Sequence, residues 1–452
     1  MKKALLLTAV FASGFAAWLS AQQSAGADII ATITGGQKAV IALPDFRGSG
    51  DAQKLMPVFN ETLWGELEGA GVFRLVAKTM LPRAIPQTPQ DFKPAGQTGS
   101  GGGTWITDWQ APPVSANYLA FGYTGIQNNQ LVLFGWLYNV TLPLANAQVI
   151  GKLYFGPITE AGAREVAREF AADILKQFGV TGLAGSKIYW VSNRTGEKQI
   201  WVMDYDGSNQ RQFAQYRELC TMPSVSPDGT KIAFTRLSSA GSQISVHATE
   251  TGRRLPFLNP NASMNAMLSF APDGSGVVFA SKVGGFAQIH AANANGGGLR
   301  RLSSTRAIEV EPKINPKTGS ELVFVSGRMG PQQIYRMNME GADVSPLTSG
   351  EGEAGNPSWH PEGKHIAFAW TRGYEPGNWN IFVMDVATKK YVQLTHGRGR
   401  NENPTWAPDG RHIVFASNRN GAMQIYSMLA DGTNVRQLTR AGRNEMPVWS
   451  KQ

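Results

Sequence analysis

The chain has 452 residues, 42% hydrophobic and 17% charged, enough for two or three domains with full cores. Its 42 Lys and Arg stand against 33 Asp and Glu, a net +9, but they are dispersed and form neither a basic run nor an aromatic stacking platform, so no nucleic-acid partner is expected. Its one cysteine, Cys220, excludes an intrachain disulfide.

The first residues predict an export signal. Lys2-Lys3 makes a positive start, Ala4 to Leu19 an apolar stretch, and Ala25-Gly26-Ala27 a small-residue cleavage pattern. We expect a signal peptide over residues 1–27, cut after Ala21 or Ala27, and a periplasmic mature protein. No later stretch is long and apolar enough to span a bilayer, so the mature chain should be soluble and not membrane-spanning.

Residues 28–180 do not repeat and read as an α/β domain. Ala39 to Pro44 is a short apolar strand; Leu55, Val58, Phe59, Leu63 and Leu67 then follow at helical spacing, and Val72 to Val76 reads as a second strand. Gly, Pro, Gln and Thr dominate between Pro82 and Pro113, which predicts a flexible loop; its glycine run 99–103 lacks the Lys-Ser/Thr of a phosphate-cradling loop. Strands resume at Tyr118 to Gly125, Leu131 to Val140 and Gln148 to Phe155. A closing helix spans about Glu160 to Phe178, with Val166, Phe170, Ile174 and Phe178 on one face.

Residues 181–452 are repetitive. The unit is clearest from Pro404 to Phe415, where a strand, a Pro408-Asp409-Gly410 turn and a second strand succeed one another. Proline fixes φ early in the turn, Asp bonds nearby amides and Gly accepts the left-handed conformation that follows. Copies begin at 223, 268, 312, 357, 404 and 447, so the steps are 45, 44, 45, 47 and 43 residues. That period fits four-stranded propeller blades, six in number. The first repeat opens at Lys187 without an innermost strand, whereas the last copy, Pro447 to Ser450, has only that strand. The two ends should complete one blade together, which removes two raw sheet edges. The expected fold is an α/β N-terminal domain plus an all-β six-bladed β-propeller, its ring closed by strands from both ends of the repeat region.

Chemistry-bearing motifs are sparse. The six histidines, His247, His290, His360, His365, His396 and His412, match no compact metal-ligand spacing, so neither metal nor cofactor is expected. No Gly-x-Ser-x-Gly nucleophile elbow occurs, and the sequence ends with the last blade, which leaves no hydrolase domain to expect. The loops entering each innermost strand offer more: Glu218, Met264 and Asn265, Glu309 and Glu311, Asn356, Asn401 and Asn403, Asn444 and Glu445. These loops should converge at one mouth of the central channel, where such a ring suits a polypeptide offering hydrogen-bond donors and basic groups. The alternative is that Asn or Glu before Pro stabilises the turn.

With its export signal, α/β domain and Pro-Asp-Gly blades, the chain resembles the TolB family of the Tol-Pal envelope system. The hinge and first blade carry the nearest likeness, in Lys187-Ile188-Tyr189-Trp190-Val191 and in Met203 through Gln210. The resemblance implies a non-enzymatic, monomeric scaffold without cofactor. It implies docking of a Pal-like peptidoglycan-associated lipoprotein at the channel-mouth residues named above. It also implies engagement of a TolA-like envelope protein by the mature N-terminus, Asp28, Ile29, Ile30, Ala31, Thr32 and Ile33, in support of outer-membrane integrity and its invagination at division. Two departures stand out: the glycine-rich 99–103 and the apolar pair Met264 and Met267. The rival readings are an exported metal-dependent sugar lyase, which needs three or more histidines on one metal, and a ligand-sensing propeller.

Overall fold

The Pro-Asp-Gly turns form as their chemistry dictates. In the computed structural model, which describes residues 27–36, 38–94, 103–373, 375–397 and 399–451, Gly229, Gly274, Gly363 and Gly410 have φ of 72°, 71°, 69° and 65°. The Asp409 carboxylate accepts a 2.9 Å bond from the Arg411 amide, and Asp228 and Asp273 accept equivalent bonds from Thr230 and Ser275. Each turn joins an innermost strand to its neighbour, and six four-stranded sheets follow. The signal segment, residues 1–26, and the glycines among 99–102 lie outside the described residues.

Blade 1 is shared by both ends of the repeat region. Its strand order is β30 (Asn444–Trp449), β7 (Lys187–Ser192), β8 (Gln199–Asp204), β9 (Arg211–Gln212). β30 runs antiparallel to β7, with Trp449 beside Ile188 and Asn444 beside Ser192. Side chains tighten the closure: Trp449 Nε1 donates to Ser186 Oγ at 2.9 Å, Trp190 Nε1 donates to Asn444 Oδ1 at 2.8 Å, and Lys198 pairs with Glu445. The other five blades are continuous in sequence; their innermost strands are β10 (Leu219–Val225), β14 (Asn265–Phe270), β18 (Glu309–Ile314), β22 (Ala354–Trp359) and β26 (Asn401–Trp406).

Residues 34–184 form a second compact unit. Its sheet has the order β3 (Phe73–Leu75), β1 (Ala39–Ala42), β4 (Tyr118–Gln127), β5 (Gln130–Asn139), β6 (Gln148–Gly156), with β2 (Arg47–Gly48) beside β4. β1 pairs in parallel with β3 and β4, and β4, β5 and β6 are antiparallel. Helices α2 (Met56–Gly69) and α4 (Glu160–Gln177) place Phe59, Leu63, Leu67, Val166, Phe170 and Ile174 in one core. The periodic apolar stripes dictate this packing, and Thr159 caps α4 by accepting the Gly162 amide. The stretch expected as a flexible loop is ordered over 103–113: it contains α3 (Thr107–Gln110), and Trp109 fills a second core with Phe92, Phe121 and Tyr138.

One boundary differs from expectation. Residues 28–33, expected in the N-terminal domain, belong with the propeller unit. Residues 27–34 form a short helix, α1. Its Ile29 is buried in a cluster with Ala367, Ile381 and Leu394 of blade 5 and Trp406, Ile413 and Phe415 of blade 6, while Ile30 and Ile33 pack against the cluster's edge.

Two predictions follow from this architecture. Deleting residues 444–452 removes the inner neighbour of β7, so thermal unfolding should lose cooperativity and its midpoint should drop by many degrees; an unchanged midpoint would refute closure as a stabilising device. The second concerns acid. Burial pushes the imidazoles of His247, His290, His360 and His365 below their ordinary pKa of 6.5. His247 Nδ1–H donates to Gly252 O while Nε2 accepts from the Tyr216 hydroxyl, and His360 Nε2–H donates to Gly410 O while Nδ1 accepts the Glu362 amide. Both rings are matched only when neutral. The unfolded chain takes up protons near pH 6.5 and the folded chain resists, so this stability is present above that pH and lost below it. Asp385 beside His365 opposes the shift there, and burial raises the Glu311 carboxyl, one group pulling the other way. The melting temperature should therefore fall between about pH 7.5 and 5.5; a flat profile would count against it.

Candidate functional site

All six innermost strands carry the same irregularity at the same place. Pairing with the second strand slips at Thr221/Ser224, Ala266/Ser269, Val310/Lys313, Gly355/Ser358, Glu402/Thr405 and Glu445/Val448. Within each slip sits a non-glycine residue in the left-handed region: Met222 at φ 54°, Met267 at 60°, Glu311 at 54°, Asn356 at 53°, Asn403 at 53° and Met446 at 51°. Five of the six precede proline, which has no amide to leave unpaired at a bulge. Left-handed backbone costs a residue with a Cβ about 1–2 kcal/mol, less for Asn. The bulges bring these six side chains onto the wall of a channel cavity of about 390 Å³.

The cavity wall is divided. Going round the ring, Met446, Met222 and Met267 are consecutive, and Glu311, Asn356 and Asn403 complete it. The polar arc is wired from blade to blade: the Glu311 carboxylate accepts the Asn356 amide at 2.6 Å and Asn356 Nδ2 at 3.0 Å, and Asn356 Oδ1 accepts the Asn403 amide at 3.3 Å. Two residues further along each strand, the lining is Ser224, Ser269, Lys313, Ser358, Thr405 and Val448. Lys313 is thus one ammonium among hydroxyl and apolar groups, and among the described residues it has no hydrogen-bond or ion-pair partner for its Nζ. Burial pushes the Glu311 carboxyl up and the Lys313 ammonium down, each partly offset by the other's charge.

The sequence-selected residues separate into two groups. Glu311, Asn356 and Asn403 line the cavity, from within the strands rather than from the loops that enter them. Glu218, Met264, Asn265, Glu309, Asn401, Asn444 and Glu445 do not. Asn265, Glu309, Asn401 and Asn444 are fully buried, and most belong to a latch repeated through the ring. Arg328 pairs with Glu309 and lies over Phe324 and Tyr335; Arg419 donates to Asn401 Oδ1 at 2.9 Å over Phe415 and Tyr426; Arg194 donates to Asn444 over Trp190 and Trp201. Arg236 reaches Glu218 in the same manner. Asn265 accepts the Ser281 hydroxyl at 2.7 Å, and Glu445 pairs with Lys198 and Arg443. Met264 is half-buried against a core cluster. These positions therefore join each innermost strand to its own blade. Sequence reasoning missed Met222, Met446 and Lys313. The signal was available, since the ring residue immediately precedes the first residue of every repeat copy, and Lys313 breaks a position otherwise Ser, Thr or Val.

The strand-start face bears exposed apolar side chains. Phe286 and Ile308 are each 48% exposed, Val283 46% and Met329 79%. They are neighbours across the chain: the Glu309 amide donates to Ala287 O, and the Gly327 amide donates to Ile308 O. Among the described residues no three His, Cys, Asp or Glu side chains come together as a metal site, and no helix is long and apolar enough to cross a membrane.

Comparisons with known proteins agree with this architecture. A Tol-Pal system protein TolB of Bordetella parapertussis is 28% identical over 344 residues, 75% of this chain and 70% of that one. A TolB homolog of Chlorobium chlorochromatii is 31% identical over 217 residues, 48% and 47% of the two chains. The crystal structure of TolB from Acinetobacter baumannii superposes with a TM-score of 0.72 at 21% identity, covering 92% of this chain and 97% of that one. The family described as TolB beta propeller domain matches residues 176–375 and 347–452, together more than half of the sequence, and the chain belongs to the TolB family of Tol-Pal system proteins.

Proposed function

We propose that the protein is a non-enzymatic periplasmic scaffold of the Tol-Pal system, acting in outer-membrane integrity and invagination during division. Its propeller docks a Pal-like lipoprotein, and its mature N-terminus, Asp28 to Ile33, engages a TolA-like partner. Family membership supports the system. The observation that carries the docking reading is the exposed apolar group Val283, Phe286, Ile308 and Met329 on the face where the innermost strands begin. Water-exposed apolar side chains gathered in one place mark interaction surfaces. Glu218 and Glu402, partly exposed beside the strand starts and paired with Arg236 and Arg400, give this face a rim of mixed charge. The buried latch residues Asn265, Glu309, Asn401 and Asn444 act here by holding the loops in position.

For the N-terminal segment, packing imposes a condition. Ile29, Ile30 and Ile33 are held by blades 5 and 6, so a partner gripping these side chains has to draw α1 away from the propeller. Burial of one isoleucine contributes about 2 kcal/mol, a cost that a partner of ordinary affinity can offset.

Two experiments test this reading. Purified mature protein should recover a Pal-like lipoprotein from envelope extract, and the doubly substituted Phe286→Glu, Met329→Glu protein should lose it while melting as the wild type does; equal recovery by both would sink the docking face. Separately, Ile29→Asp should speed amide exchange across residues 27–34 with little change in the propeller's melting temperature. Exchange at the wild-type rate would mean that α1 is not held by Ile29.

A further inference from the structure

The channel has features that a docking face does not require. It encloses a space of about 390 Å³, within the range of about 300–1,000 Å³ in which small-molecule sites fall. Two opposite charges, Glu311 and Lys313, face that space from one strand, yet no ion pair joins them. The Glu311 carboxylate is oriented by two donors from Asn356 and keeps lone pairs toward the cavity. The Lys313 ammonium lies without a partner, an arrangement that is costly where protein encloses the charge. Protein surrounds both groups, and each is only half-exposed, to the cavity itself. The methionine arc begins on the neighbouring blade with Met267 and runs through Met222 to Met446 across the ring; its unbranched thioethers adapt to irregular apolar shapes.

We propose that the channel binds a small zwitterion of the amino-acid or short-peptide class, its carboxylate on Lys313, its ammonium on Glu311 and its apolar side chain against the methionine arc. Electrostatic balance selects this class. Three charged groups line the cavity; Lys451 is exposed to solvent, which leaves Lys313 and Glu311 as the pair that protein encloses. A ligand with a single charge therefore leaves one of that pair uncompensated, whereas a zwitterion satisfies both. An uncharged apolar molecule fills the methionine side but leaves both charged groups desolvated. The lining hydroxyls Ser269 and Ser358 flank Lys313 in the ring and supply further donors to a carboxylate. Residues of the cavity wall alone select this ligand class, and no property of an envelope partner enters.

Titration calorimetry on the purified mature protein tests the proposal, with L-leucine and L-alanyl-L-leucine as probes and acetate and butylammonium as singly charged controls. At least one zwitterion should bind saturably and the controls roughly tenfold more weakly or not at all; Lys313→Met and Glu311→Gln should each lower affinity by roughly tenfold. Because a channel variant can fail to fold, a second measurement uses the wild type alone: on adding the zwitterion, the methyl resonances of Met222, Met267 and Met446 should shift in a spectrum of methionine-labelled protein. Acetate binding as tightly as the zwitterions, with Glu311→Gln unaffected, would reduce the site to an anion site and overturn the class. Absence of both heat and methyl shifts up to about 10 mM ligand would overturn the site itself.

Discussion

The structure depends on one pairing, that of β30 with β7, between residues more than 250 positions apart. A propeller is a row of sheets bent until the last meets the first, and neither end can complete a sheet alone. The final strand supplies what the first blade lacks. Without this pairing, β7 would present a bare edge of apolar strand, and the Trp190 and Trp449 indole N–H groups would be without the partners they find across the seam. With it, blade 1 has the same four strands as every other blade, and the channel becomes a closed wall.

Closure also gives the ring residues their meaning. Six left-handed bulges on separate sheets would be six local irregularities; on a closed ring they converge on a common space. Their chemistry then sorts by blade. Three successive blades contribute methionine, and three contribute Glu or Asn linked by hydrogen bonds from one blade to the next. Arg194, Arg328 and Arg419 act close to these bulges, on the strand residue two positions before each. Each guanidinium that lies over its blade's aromatic rings and reaches the first residue of the innermost strand ties the loop face to the sheet beneath it.

How much of this was legible in the sequence follows from the range of the forces involved. The turns were, because Pro408, Asp409 and Gly410 act within four residues, and so was the blade period, which repeats that local signal. Closure was legible from complementary omissions at Lys187 and Pro447. The α4 and α2 stripes were legible from spacing. The role of Asn265, Glu309, Asn401 and Asn444 was not, since an Asn or Glu at a loop's end reads the same whether it faces solvent or a guanidinium across the sheet. The bulge was hidden for a related reason: methionine rarely adopts a left-handed backbone, so Met222, Met267 and Met446 gave no local warning. The position of α1 was also out of reach. Its isoleucines meet blades more than 300 residues later in the sequence, and nothing local to Asp28 through Ile33 names that surface.

The seam has a mechanical direction. Ile188 and Trp449 are neighbours, so the chain enters β7 and leaves β30 at the same end of the pairing. Tension applied between residue 186 and residue 450 would load these hydrogen bonds one after another, as a zipper is opened, instead of all together in shear. Trp449 and its bond to Ser186 would take the first load. The ring is thus built to yield to a pull along one line, with blade 1 parting before any other.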